Sequence, residues 1–240
     1  MATTKEVLAA VERKRGYLLT YHRMIGSSDP DLLAAYDNFY ENLTLSPRAF
    51  TPQQRELVWA ALQVAADEEH GHIHMRRAIK AGLGEGILTD AIALAGAAEA
   101  HRALWFGSHH WNEWISVQTA TDRYLKMCDA ARGEVEPALA EIILAICHGA
   151  RRTYDAMRIH LKRAFEAGAT VAQMSEGLSY MLLPCGGPTL IDAVEIWEQE
   201  AAAGNCLRRG QPSDPAAARP RRPRAHGLRI RDGALPDGEP

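Results

Sequence analysis

The chain has 240 residues, of which 47% are apolar, and a formal net charge of −3, so it has enough apolar material for one large domain or two small ones. Its four cysteines are widely spaced and include no Cys-x-x-Cys pair, which excludes a disulfide framework, a zinc ribbon and a dithiol redox site. The charge is unevenly spread, with +4 from Leu207 onward and therefore −7 before it, and this acidic body gives no sign of a nucleic-acid surface. Without an apolar run of 18 residues or an N-terminal signal peptide we expect a cytoplasmic protein that neither enters membranes nor binds nucleic acids.

Residues 1–47 predict an N-terminal pair of helices. Thr3 opens the first helix as the cap of a capping box, and the amphipathic pattern extends to about Tyr21. Asp29 caps the second helix, a proline follows at the first helical position, and the helix extends to about Leu43. We expect this pair to cover one end of the core or to form a subunit interface.

Residues 48–116 predict three further helices. The first begins after Thr51, where a capping threonine, a proline and a glutamine follow the order of a capping box. The second contains three histidines within five residues and ends at Gly82, a natural left-handed cap. The third begins near Thr89 and passes through an alanine-rich stretch to about Phe106.

Residues 117–203 repeat this order. A helix opens at Pro137, a second one ends at Gly168, and Thr170 caps a third that stops at Pro184. A Cys-Gly-Gly-Pro bend then leads into a last helix. No alternating strand pattern is visible in the chain, so the predicted fold class is all-α.

Residues 204–240 predict a disordered tail rich in arginine and proline. The tail holds six of the twelve prolines, and from Leu207 onward eight arginines stand against four acidic residues. The run from Arg219 to Arg224 suits an acidic partner, but such runs are more often simply solvated.

An internal repeat relates the two middle segments of the chain. Residues 73–82 read Ile-His-Met-Arg-Arg-Ala-Ile-Lys-Ala-Gly, and residues 159–168 read Ile-His-Leu-Lys-Arg-Ala-Phe-Glu-Ala-Gly. Six of the ten positions are identical at a constant offset of 86 residues. The repeat predicts a duplication in which two related halves share one core.

Each half resembles the carboxymuconolactone decarboxylase and AhpD-like superfamily, because a helix with a glutamate precedes a helix that reads His-x-x-x-Ala-x-x-Ala-Gly. Glu56 precedes His74 by 18 residues, and Glu141 precedes His160 by 19. The resemblance covers about residues 48–200. It implies an AhpD-like helical fold of two tandem decarboxylase-like repeats, 48–116 and 117–203, and assembly as a homotrimer.

The AhpD branch of this superfamily reduces peroxides with a Cys-x-x-Cys-x-x-x-His site, which this chain lacks. Relative to the first repeated histidine the cysteine positions hold Asp67 and His70, and relative to the second they hold Thr153 and Ala156. A dithiol peroxidase needs one thiolate to attack and a second thiol to resolve the intermediate. We therefore exclude that activity.

The decarboxylase branch implies acid–base chemistry by the repeated histidines, with the glutamates as their orienting partners. The catalytic residues predicted in this way are His74, Glu56, His160 and Glu141. Decarboxylation of a lactone acid requires an acid that protonates the dienolate carbon. We also expect Arg77 and Arg163 to hold substrate carboxylates, and Trp59 and Trp111 to line the substrate pocket. The leading hypothesis is a decarboxylase-like lyase that acts on a small cyclic or unsaturated carboxylate, as in aromatic catabolism.

A metal site is the alternative reading of the same histidines. His70 and His74 are four residues apart on the predicted helix and would share one face, with His109 or His110 completing a site for a divalent transition metal. The bound ion would then serve a hydrolase, isomerase or oxygenase as a Lewis acid or by activating water. The acid–base hypothesis requires no cofactor.

A third hypothesis is a non-catalytic, oligomeric binding protein. It predicts that the histidines and glutamates are filled by internal partners and that no cavity adjoins them. Glu56 and Glu141 would then be buried partners of the repeated arginines. Between the two halves, we expect the first to be reactive because it holds the histidine cluster and most of the aromatic residues.

Overall fold

The computed structural model describes residues 3–206, and this part of the chain contains eleven α-helices and no strand. The predicted all-α class is confirmed. Residues 207–240, and with them nearly all of the predicted tail, lie outside the described residues. The helices are α1 Thr4–Arg15, α2 Thr20–Ser28, α3 Pro30–Tyr40, α4 Pro52–Ala65, α5 His72–Lys80, α6 Glu85–His110, α7 Val117–Ala131, α8 Pro137–Ala150, α9 Tyr154–Glu166, α10 Val171–Tyr180 and α11 Gly186–Ala202.

Side-chain caps begin four of these helices where the sequence predicts them. Capping boxes stand at Thr3, Thr51 and Thr170, and in each the threonine hydroxyl accepts a backbone N–H while the third residue of the helix returns the bond. Asp29 accepts from the backbone N–H of Leu32 at 2.9 Å, one residue before the proline of α3. These bonds satisfy N–H groups that a helix start otherwise leaves unpaired.

The predicted N-terminal pair is wrong in number, since the structure forms three helices there. Gly16 ends α1 in a left-handed conformation with φ of 78°, which glycine adopts at least cost. The apolar pattern continues across this break, and it therefore concealed the start of α2. The last of the three helices, α3, passes at Tyr40 directly into a π-helical turn, Glu41–Leu45.

A helix that the sequence analysis missed, α7, fills the segment before α8. Ser116 caps it by accepting from the backbone N–H of Thr119 at 3.1 Å. Its buried face consists of Ala120, Tyr124 and Cys128, which recur every four residues. The pattern is too short to stand out from the sequence, but it brings Tyr124 into the core.

The main hydrophobic cluster extends from Leu43 to Cys206 and takes residues from both predicted repeats. Its centre is α8, which is buried continuously from Ala138 to Gly149 and packs against α4, α6, α9, α10 and α11. A helix that is apolar on every side is expected at such a central position. A smaller, separate cluster of Val7, Val11 and Leu33 holds the N-terminal helices together. Within residues 3–206, no helix is both long and apolar enough to cross a bilayer.

The two helix pairs α4–α5 and α8–α9 share the backbone features of their connections. Asp67 and Arg152 follow α4 and α8 with φ of 53° and 58°, and Gly82 and Gly168 follow α5 and α9 with φ of 87° and 101°. The pairs differ in one place, where a 3₁₀ turn, Glu69–Gly71, replaces the first helical turn before α5. That turn moves one of the predicted site histidines off the helix.

Replacing two glycines by alanine should separate backbone strain from packing. Gly82→Ala is expected to lower the free energy of unfolding by about 1–2 kcal/mol, because a Cβ opposes its φ of 87°. Gly96→Ala, in the middle of α6, is expected to raise the same quantity by about 0.5–1 kcal/mol. Apart from the adjacent residues and the glycine's own helix backbone, no atom of the described residues lies within 4 Å of either added Cβ, so tertiary contacts do not enter the comparison. Urea denaturation measures the free energy of unfolding of both variants. Changes of the same sign would contradict the left-handed backbone at Gly82 as the cause of the difference.

Candidate functional site

The glutamate and the histidine of each helix pair meet across the interior of the pair. Glu56 Oε2 lies 2.9 Å from His74 Nδ1, and Glu141 Oε2 lies 2.7 Å from His160 Nδ1. All four side chains are buried. The structure therefore brings together both pairs that the resemblance implies, one in each half.

The electrostatics of these pairs favour a neutral imidazole. Burial lowers the pKa of His74 and of His160, and this effect exceeds the opposing influence of the neighbouring carboxylates. Burial acts to raise the pKa of Glu141, but hydrogen bonds from His160 and Arg163 bring that pKa below its ordinary value. A neutral ring that faces a carboxylate with Nδ1 carries its proton there, which leaves a lone pair on Nε2.

In the second pair this lone pair is already used. The hydroxyl of Tyr124 lies 2.6 Å from His160 Nε2 and 2.6 Å from His148 Nε2, and the hydroxyl of Thr153 lies 2.6 Å from His148 Nδ1. One proton arrangement satisfies the four side-chain contacts, and in it Thr153 donates to the His148 ring, His148 to Tyr124, Tyr124 to His160, and His160 to Glu141. The rings of His148, Tyr124 and His160, which form this hydrogen-bonded chain, are all buried.

The second pair therefore offers no ring nitrogen to a substrate. Both nitrogens of His160 have protein partners, and its exposed fraction is 0%. Arg163 further ties Glu141 to the helix α7 through Asp129. The predicted catalytic role of His160 and Glu141 stays a prediction that this geometry disfavours, and the pair instead acts as a polar link within the core.

In the first pair the histidine lines a pocket of about 350 Å³. Nδ1 of His74 is bound by Glu56, and no hydrogen bond to its Nε2 occurs among residues 3–206. The pocket lies between the N-terminal helices, the α4–α5 pair and the bend after α10. Its lining residues are Tyr17, Leu19, Tyr21, Tyr36, Tyr40, Trp59, Gln63, Glu68, His70, Ile73, His74, Leu182, Leu183 and Pro184.

Trp59 fixes the plane of the catalytic candidate His74. Its ring lies between the imidazole of His74, at 4.3 Å and 16°, and the ring of Tyr180, at 4.7 Å and 26°. Trp59 Nε1 and Gln63 Oε1 are both buried and have no hydrogen-bond partner within the described part of the chain. An unpaired buried donor and acceptor in one pocket are costly, and a polar ligand that pairs with them removes that cost.

Four tyrosines form a wall of the pocket that the sequence analysis did not predict. The hydroxyls of Tyr17 and Tyr40 are 3.1 Å apart, and those of Tyr21 and Tyr36 are 2.7 Å apart. Behind them the buried guanidinium of Arg15 lies 3.9 Å from the centre of the Tyr40 ring. The signal in the sequence was two pairs of tyrosines, each with a spacing of four, in segments for which we expected only a cover for the core or a subunit interface.

Arg77 and Trp111 do not lie where the sequence analysis expected them. Arg77 is not among the residues that line the pocket, and its Nη1 donates to the hydroxyl of Tyr40 at 3.1 Å. It therefore acts on the pocket through Tyr40 and through its charge, which helps to lower the pKa of His74. Trp111 is 51% exposed and packs edge-on against Phe106 at 5.7 Å, outside the pocket of His74.

The predicted metal ligands are not brought together. His70 lies in the 3₁₀ turn before α5, so the expectation that it shares a helical face with His74 is wrong, although both line the pocket. His109 and His110 end α6, where they pack against Trp105 and Phe106 respectively. Within residues 3–206, no group of three His, Cys, Asp or Glu side chains is placed to hold a metal ion.

Comparison with known proteins identifies no relative of this chain. No family model matches the chain, and neither a curated protein nor a solved structure is significantly similar to it. The likeness to the decarboxylase superfamily therefore rests on the repeated glutamate, histidine and Ala-Gly positions of the sequence.

Removing the hydroxyl of Tyr124 should destabilise the protein markedly. Tyr124→Phe leaves the Nε2 atoms of His148 and His160 buried and unpaired, at about 1–3 kcal/mol each, so the free energy of unfolding is expected to fall by about 2–6 kcal/mol. Tyr154→Phe is the matched control, since that hydroxyl bonds Asp192 in a partly buried place, and about 0.5–1 kcal/mol is expected. If thermal or urea unfolding showed equal losses of stability in the two variants, the hydrogen-bonded chain from Thr153 to Glu141 would be contradicted.

The charge state of His74 can be read directly by long-range ¹H–¹⁵N NMR of the histidine rings. At pH 7 a neutral ring with its proton on Nδ1 is expected. In Glu56→Gln the pKa of His74 should fall further, because the carboxylate that favours the imidazolium is gone. His160 serves as the internal control, since its partner Glu141 is unchanged. A raised pKa of His74 in the variant would overturn the assignment.

Proposed function

We propose that the chain is an enzyme in which His74, oriented by Glu56, performs acid–base catalysis on a small cyclic or unsaturated carboxylate, and that the reaction is a decarboxylation. One observation carries the proposal. Of the two repeated histidines, His74 has no protein partner on Nε2 among the described residues, and it lines a pocket of about 350 Å³. That volume is within the range of small-molecule sites.

The neutral state of His74 decides the order of the proton transfers. Nε2 first takes up a proton from solvent as the substrate carboxylate binds. The bond between the carboxylate and its carbon then breaks, CO₂ leaves, and the electron pair enters the unsaturated system of the substrate. The imidazolium of His74 gives this proton to carbon, so one solvent proton is consumed for each CO₂ released and no cofactor is required. Glu56 stabilises the imidazolium while it exists, as a carboxylate on the far nitrogen does in other acid–base sites.

Other groups of the pocket suit the charge that develops on the substrate. The indole N–H of Trp59 and the tyrosine hydroxyls are donors for a carboxylate or a dienolate oxygen, and the amide oxygen of Gln63 is an acceptor. Arg77 strengthens one of these donors, because its guanidinium donates to the hydroxyl of Tyr40. The aromatic walls keep the dielectric constant low, which strengthens such interactions.

The pocket also distinguishes this proposal from a non-catalytic binding protein. That hypothesis requires internal partners on the histidines and no cavity, which describes His160 but not His74.

We further propose a cytoplasmic homotrimer. Four free cysteines, three of them buried, suit a reducing compartment. Exposed Phe106, Trp111 and Trp114, at 48%, 51% and 75%, suit a subunit contact.

The test is turnover of carboxymuconolactone and related unsaturated carboxylates in D₂O, followed by NMR for CO₂ release and for deuterium on the product carbon. His74→Gln is expected to lower kcat by about 100- to 10,000-fold. Glu56→Gln should cause a smaller loss. His72→Gln, on the exposed side of the same helix, is the matched control and should leave kcat unchanged. Undiminished turnover in His74→Gln, or no turnover of the series by the wild type, would overturn the proposal.

A further inference from the structure

A second cleft opens between α6, the start of α7 and the start of α9. It consists of two adjoining cavities of about 200 Å³ and 400 Å³, which share His101, Trp105 and Asp155 as lining residues. Neither cavity shares a lining residue with the pocket of His74. The cleft therefore takes no part in the proposed reaction.

The two cavities differ in chemical character. The smaller one is lined mainly by apolar groups, which are the ring of Trp105 and the side chains of Leu104, Val117, Ala120 and Ile159. The larger one carries charge, since Arg102, Arg152 and Asp155 line it together. A ligand that fills both must combine an apolar body with a charged end.

Opposite charges in the larger cavity remain unpaired. Arg102 on α6 and Asp155 on α9 line the same space and are both exposed to solvent. Neither forms an ion pair within the described residues. Arg152 is already engaged, since its Nη2 donates to Thr189 at 3.0 Å and its Nη1 lies 3.7 Å from Asp192 Oδ2. A ligand with a single charge would pair with either Arg102 or Asp155 and would be repelled by the other.

His101 adds an unused polar atom where the two cavities meet. Its Nδ1 is buried and has no hydrogen-bond partner within residues 3–206. Tyr124 and His148 hold the ring from the core side by edge-on contacts at 4.9 Å and 5.3 Å. The orientation of the ring is thus set by the closed hydrogen-bonded chain behind it. An unpaired nitrogen in this place suits a ligand with a polar head.

We propose that this cleft binds an amino acid with an apolar side chain. The carboxylate lies at Arg102, the ammonium group lies at Asp155, and the side chain enters the smaller cavity against Trp105. This ligand class satisfies both free charges and the apolar cavity at once. It also brings polar atoms within reach of His101 Nδ1.

The test is isothermal titration calorimetry of the full chain with L-phenylalanine and L-leucine. At least one is expected to bind with a Kd of about 1 mM or tighter. 3-Phenylpropionate lacks the ammonium group and 2-phenylethylamine lacks the carboxylate, so each should bind at least about 10-fold more weakly than L-phenylalanine. The proposal would be overturned if either analogue bound as tightly as L-phenylalanine, or if neither amino acid bound.

Variants locate the binding and separate it from the pocket of His74. Arg102→Gln and Asp155→Asn should each weaken binding of the amino acid by about 10- to 100-fold. Arg76→Gln removes an exposed arginine from α5, outside the cleft, and should have no effect. His74→Gln should also leave binding unchanged, which keeps this result independent of the proposed reaction. Undiminished binding in both cleft variants would show that the amino acid binds elsewhere.

Discussion

A carboxylate buried in a protein interior costs several kcal/mol unless it is paired and hydrogen-bonded, and the organisation of this chain follows from meeting that demand twice. Glu56 and Glu141 stand on the inner helices α4 and α8, and each takes one N–H from a histidine on the next helix and one from an arginine. The histidine bonds hold α5 on α4 and α9 on α8. The arginines differ, because Arg55 lies next to Glu56 on α4 whereas Arg163 reaches Glu141 from α9, so only the histidine bond is repeated in the two halves.

What distinguishes the two halves is the helix that precedes each pair. Before α8, the helix α7 delivers the hydroxyl of Tyr124 to His160, and the imidazole becomes an internal link. Before α4, the helix α3 and its π-helical turn place Tyr40 over Arg77 instead, and no hydroxyl reaches His74. The same glutamate–histidine pair is therefore a closed structural element in one half and a candidate reactive group in the other. The residues that decide between these two roles, Tyr124 and Tyr40, lie outside the repeated segments 73–82 and 159–168.

Local chemistry explains which parts of this arrangement were predictable from sequence. The caps at Thr3, Asp29, Thr51 and Thr170 and the left-handed glycines depend on near neighbours along the chain, and they appear as expected. The glutamate–histidine pairs span 18 and 19 residues, and it was the family resemblance that implied them. His70 left its expected helical face because a 3₁₀ turn interrupts the pattern, and periodicity does not register such a turn. Tyr124 and the tyrosine wall depend on contacts across 15 to 36 residues, and spacing along the chain carries no information about those.

The separate cluster beneath the N-terminal helices has a consequence for the rate of ligand exchange. Val7, Val11 and Leu33 hold α1–α3 together, while the main core begins only at Leu43. Segments with a small core of their own open locally at a lower free energy than the whole protein unfolds. Tyr17, Tyr21, Tyr36 and Tyr40 belong to this segment, so the wall that shields His74 from water is also the least costly part of its surroundings to displace. Exchange of the proposed substrate would therefore depend on local opening of these three short helices, while the Glu56–His74 pair below them stays in place.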